Sequence, residues 1–158
     1  MSMTIKSDLF LDRAAIPVGC TEDGEDRSPP LAWAVVPKGT VEFALILDDP
    51  DAPTEEPWIH WVAAKIPATA TSLPAGYHEL STPEGSPPGM VHGANTWGTL
   101  GYRGPAPPPG HGTHHYHFKL FALDATLDVA DGVDKHTLLE LISGHVLGRA
   151  ELVGTYHR

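Results

Sequence analysis

A single cysteine, Cys20, in 158 residues rules out an internal disulfide and is compatible with a reducing compartment. Basic residues are scarce as well: 10 Lys and Arg face 20 Asp and Glu, a formal net charge of −10 with the histidines neutral. No cluster of Lys and Arg interrupts that imbalance, so a nucleic-acid backbone would meet repulsion and is excluded as a partner. Long apolar runs are missing too. The opening "MSMTIKSDLFLDRAAIPVGC" mixes charge with apolarity, so neither a signal peptide nor a membrane span is expected, and the chain reads as cytoplasmic. Nor does the sequence carry a GxSxG elbow, an HExxH pair or a GxxxxGK loop, which removes the commonest hydrolase, zinc-protease and nucleotide-binding arrangements.

What is present is glycine and proline, 16 of each, in a chain that is still 41% hydrophobic. That combination predicts a folded, loop-rich single domain over 1–158 rather than disorder. Short β-rich runs at 41–49 ("VEFALILDD"), 58–66 ("WIHWVAAKI") and 114–124 ("HHYHFKLFALD") predict strands, with a last one at 149–156. Asp134 is a candidate N-cap for a helix carrying Leu138, Leu139, Leu141, Ile142, Val146 and Leu147, with Gly148 as its stop. The stretch from Pro67 to Pro109 is mostly turn chemistry and is expected to pack across the sheet, pinned by Tyr77, Trp97 and Tyr102. Together these elements predict a mainly β, antiparallel sandwich with one late helix.

Ten histidines invite a search for metal or acid–base chemistry, and strand alternation divides them. On 114–124, His114, Tyr116, Phe118, Leu120 and Ala122 share one face, polar at its start and apolar beyond, as expected of a core-facing row that opens into a pocket. His115, His117, Lys119 and Phe121 share the other. His115 and His117 are spaced to chelate a metal but lack an evident third ligand, so they are read as solvated surface and no metal or cofactor is predicted. On 58–66 the same rule groups Trp58, His60, Val62, Ala64 and Ile66, again with a histidine near the loop end. An acid closes "LILDD", and convergence of these groups on one hollow is the expectation.

Five stretches in order, "SPPLAW" (28–33), "DDPDAP" (48–53), "WIHW" (58–61), "GYRGPAPPPGHGTHHY" (101–116) and "GHVLGRAELVGTY" (144–156), resemble the phosphatidylethanolamine-binding proteins, in particular their bacterial and archaeal Raf-kinase-inhibitor-like branch. The resemblance implies a Greek-key sandwich of a large and a smaller antiparallel sheet, and a small surface cavity for phosphate, a phosphoryl head group or a carboxylate. It places the pocket acid on Asp49, the histidines on His60 and His114, the tyrosine on Tyr116, an aromatic rim on Trp58, and a backbone rim on Ala106, Pro107 and Pro108. Asp51 matches a second acid, with a structural role in holding its turn. The chain departs from the family where His115 replaces the usual arginine, Ala106 a common cysteine and Asp26 a common asparagine.

The resemblance implies a binding protein for a small anionic ligand that modulates an unidentified protein partner, with a homodimer compatible. The competing reading is a hydrolase or metalloenzyme that uses the same Asp, His, His and Tyr.

Overall fold

The computed structural model describes residues 2–79 and 81–158. Met1 and Leu80, which fall within the expected domain and the expected long connection, lie outside them. In chain order the elements are β1 (Thr4–Lys6), β2 (Leu31–Ala34), β3 (Glu42–Asp49), β4 (Trp58–Pro67), β5 (Ser72–Leu73), β6 (Val91–His92), β7 (His114–Leu123), α1 (Lys135–Ile142) and β8 (Val146–Tyr156). They form two antiparallel sheets, a five-stranded one in the order β6-β4-β3-β7-β8 and a three-stranded one in the order β1-β2-β5.

Strand β3 sits at the centre and all eight of its residues are buried. Its side chains alternate between two apolar layers. Phe43, Leu45 and Leu47 enter the layer between the sheets, where they meet Ile5, Leu31, Trp33 and Leu73 of the small sheet. Trp33 stands 5.3 Å from Phe43, ring to ring, and its indole N–H donates to the Ala70 carbonyl. Ala44 and Ile46 point the other way, into a second layer closed by Leu138 and Ile142 of α1. The helix therefore covers the outer face of the large sheet. That face also holds a buried charge: Asp48 is met by Lys119 at 3.1 Å and Lys135 at 3.6 Å.

The helix is shorter than its hydrophobic pattern predicts. Asp134 does cap it, accepting from the Thr137 amide at 2.7 Å. It ends at Ile142, because Ser143 leaves the helical region and Gly144 adopts φ +82. Val146 and Leu147, expected on the helix, instead open β8, where Val146 pairs with Leu123 and Gly148 with Ala122. The ladder with β7 outcompetes one more helical turn, since it satisfies the backbone of eleven residues at once. Two short strands, β1 and β2, had no periodic signal long enough to be read. The connection after β4 does lie across the sheets, with Tyr77 and Tyr102 fully buried, and it contributes β5 and β6 on the way.

Alternation holds along β7 and fails along β4. The pairing with β3 skips His60 between Leu47↔Trp61 and Asp48↔Ile59, and skips again between Leu45↔Ala63 and Phe43↔Ile66, where Lys65 takes φ +55. Each skip is a bulge that re-aims the side chains around it. Val62 and Ala64 consequently pack toward α1 while Trp61, Ala63 and Ile66 face the small sheet, so the expected single row of Trp58, His60, Val62, Ala64 and Ile66 is split. His60 still turns inward, as the extra residue of the first bulge.

Candidate functional site

Antiparallel pairing brings the end of β3, the starts of β4 and β7 and the end of β8 to one edge of the large sheet. Asp49 pairs with Trp58 there, and His114 with Tyr156. A cavity of about 340 Å³ opens at this edge. Every ligand residue expected from the sequence lines it: Asp49, Trp58, His60, Ala106, Pro107, Pro108, His114 and Tyr116. Asp49, His60, His114 and Tyr116 are each at most 3% exposed, yet they reach one hollow from positions far apart in the chain.

The buried polar groups form defined pairs. His114 Nδ1 donates to Asp49 Oδ2 at 2.6 Å, and the other carboxylate oxygen accepts from the Asp51 amide at 2.8 Å. Both oxygens of Asp49 are thus satisfied within the fold, as a buried carboxylate requires. On its far side His114 Nε2 meets His111 Nδ1 at 2.7 Å, so carboxylate, buried imidazole and exposed imidazole form one chain that shares a proton at the last link. His111 sits between Gly110 (φ +75) and Gly112 (φ +88), backbone conformations that glycine adopts without strain.

His60 is held differently. Its Nδ1–H donates to the Arg103 carbonyl at 2.7 Å, and burial lowers its pKa from 6.5 to about 4, outweighing the nearby carbonyls and Asp48. The ring is neutral at neutral pH. It meets Tyr116 edge-on at 5.2 Å and Trp97 at 5.0 Å, while Trp97 also abuts Trp58 at 5.4 Å and carries the Arg103 guanidinium 4.5 Å above its face. The Tyr116 hydroxyl makes no hydrogen bond among the described residues. Burial and the nearby Asp49 carboxylate push its pKa well up, so it remains a proton donor facing the cavity.

Asp51 does not hold its own turn; Asp49 does. The Asp51 carboxylate reaches across to β7, accepting from the His115 amide at 2.8 Å and from its Nδ1 at 2.7 Å. His115 therefore has a partner of its own where the family commonly has arginine. His117 is likewise drawn to Glu151 at 3.2 Å, and the two outward histidines are engaged with separate carboxylates. Asp26, at another of the three departures, accepts from the Gly104 amide at 2.6 Å. A Cβ on Gly104 would drive into the Cys20 carbonyl, so this close approach of two loops behind the cavity requires glycine.

Sequence reasoning missed Glu22, Ala52, Pro53, Thr54 and Arg158 as lining residues, and read Trp97 only as a pinning residue. Arg158 donates to Asp23 at 2.9 Å and to the Pro107 carbonyl at 3.5 Å, placing a guanidinium at the mouth. Nothing in its local sequence signals that position; only the return of β8 to this edge does.

These features define an antiparallel two-sheet β protein with a polar hollow at one edge of the larger sheet. Residues 6–157 match the sequence model of the family described as phosphatidylethanolamine-binding protein. A UPF0098 protein of Methanothermobacter thermautotrophicus is 48% identical over 158 residues, 99% of each chain. The crystal structure of Escherichia coli YbcL, described as a new member of the mammalian PEBP family, superposes with a TM-score of 0.92 at 31% identity, covering 100% of this chain and 99% of that one. A Mycobacterium tuberculosis protein named as a lipoprotein, LppC, is 37% identical over 98% of this chain and 72% of its own. The chain belongs to the phosphatidylethanolamine-binding protein family.

Proposed function

We propose that the cavity holds one small oxyanion, a phosphate, phosphoryl head group or carboxylate, and that the chain acts as a binding module. The observation that carries this reading is the convergence of Asp49, His60, His114 and Tyr116 on one hollow whose size suits an anion with a small attached group. Donors for the anion are the Tyr116 hydroxyl and the Arg158 guanidinium at the rim. The charge of Asp49 is the obvious objection. It is answered by the two donors that already occupy its oxygens.

Calorimetric titration with inorganic phosphate tests the reading: binding that is weakened in Tyr116→Phe supports it, and no binding at any pH removes the module.

A covalent catalytic use of the same groups would need a nucleophile beside a histidine; the lining hydroxyl of Thr54 is donated to the Glu56 carbonyl at 2.6 Å. We further propose that the unit is one domain over 1–158, that it works in the cytoplasm as a homodimer, and that it modulates a protein partner. Among the described residues, no helix is long and apolar enough to cross a membrane. Partner capture that survives His114→Ala would separate the interaction surface from the cavity.

A further inference from the structure

We propose that the cavity selects oxyanions that bring a proton of their own, phosphate and phosphomonoester monoanions over sulfate. The inference rests on the oxyanion reading above and concerns which member of that class the site takes.

His60 decides it. With Nδ1–H fixed on the Arg103 carbonyl at 2.7 Å, the neutral ring presents a lone pair at Nε2. Among the described residues that nitrogen makes no hydrogen bond, and the ring lines the cavity. The Nδ1 bond fixes the tautomer, and Tyr116 and Trp97 pack edge-on against the ring, which is 3% exposed. An acceptor buried this way must receive a proton from whatever fills the hollow, or remain unpaired.

The same hollow holds donors: the Tyr116 hydroxyl donates and the rim offers Arg158, so a ligand meets both donors and an acceptor. A hydrogen phosphate or a phosphomonoester monoanion satisfies both at once, its P–O⁻ oxygens accepting and its P–OH donating to His60. Sulfate carries no proton over the working pH range and sets an oxygen against the His60 lone pair. Sites built to hydrogen-bond a ligand hydroxyl reject analogues that lack it far more strongly than apolar pockets reject size differences.

The titratable and charged groups around His60 are Asp48 and Asp49 of β3, His114 and Tyr116 of β7, Arg103 of the loop behind the ring, and Glu22 and Arg158 at the mouth. Sulfate experiences all of their titrations without titrating itself. The ratio of phosphate to sulfate affinity therefore isolates the proton on the ligand.

The experiment is isothermal titration of the intact protein with inorganic phosphate, methyl phosphate and sulfate between pH 5.5 and 8.5. The expected result is a preference for methyl phosphate over sulfate of about tenfold or more at the acid end, declining by about tenfold per pH unit once the second ligand proton leaves near pH 6. His60→Asn, whose amide can donate as well as accept, is expected to erase most of the preference. Tyr116→Phe is expected to weaken both anions by the same factor and leave their ratio unchanged. Equal affinities for the two anions at pH 5.5, or a ratio that does not change with pH, overturn the selectivity while leaving the oxyanion site standing. Failure of all three anions to bind overturns both, and the wild-type ratio decides the matter without any variant that must fold.

Discussion

One buried side chain should contribute strongly to acid destabilisation of this protein, and the size of its contribution follows from where His60 sits. In the folded chain its pKa is about 4 because burial disfavours the charged ring; the unfolded value is near the ordinary 6.5. Between those values the unfolded chain binds more protons than the folded one. The His60 contribution to stability is therefore complete above about pH 6.5 and is lost as the pH falls. A difference of about 2.5 units at ~1.36 kcal/mol each gives a loss of roughly 3 kcal/mol below pH 4, of which roughly 2 kcal/mol is gone by pH 5. That is a large share of the 5–15 kcal/mol typical of a domain. The assay is urea unfolding at a series of pH values for the wild type and for His60→Phe, which keeps a ring against Tyr116 and Trp97 but cannot titrate. The variant starts lower at pH 7, by about 1–3 kcal/mol, because the Arg103 carbonyl loses its donor. Every other titrating group is common to both proteins, so the gap between the curves should close, and can reverse, as the pH falls from 7 to 4. Parallel curves over that interval would refute the reasoning.

Other perturbations separate buried from exposed pairs. Asp49→Ala strands the His114 N–H and the Asp51 amide in a buried site and should cost about 3–5 kcal/mol by denaturant unfolding, together with loss of phosphate binding. Asp51→Ala removes an exposed pairing with His115 and should cost less than about 1 kcal/mol in the same assay. Cys20 should resist a thiol reagent in the native protein at pH 8 and react on unfolding, since burial, helped by Asp26, raises its pKa to about 11.

The strands that build the site were readable because each carries a signal that backbone geometry imposes. The alternation in "HHYHFKLFAL" matches the burial of β7 from His114 to Leu120, so His114 and Tyr116 could be turned inward from parity alone; beyond it Phe121, on the face of His115 and His117, is buried in the layer closed by α1. Parity gave the correct side for His60 through a faulty grouping. Bulges have no reliable sequence signature, and two of them send Val62 and Ala64 to the opposite layer. The helix was overextended because Val146 and Leu147 continue an apolar spacing that suits either structure. Which one they adopt depends on the partner strand 23 residues earlier, where Leu123 meets Val146. The turn-holding carboxylate was not legible for a similar reason: "DDPDAP" shows that acids hold a turn but not that Asp49, while lining the cavity, also bonds the Asp51 amide and leaves Asp51 to reach β7. His111 and Arg158 lay beyond local reasoning, since their importance arises from what the fold brings beside them.

The position of Arg158 has a practical side. Whatever continues the polypeptide past this residue, natural or appended, departs from the rim of the hollow beside Pro107 and Asp23. A polyhistidine tail fused there would supply its own carboxylate and imidazoles to the entrance, so affinity work on this protein belongs on material tagged at the other end. A solvatochromic dye coupled at the same spot would, conversely, report occupancy directly.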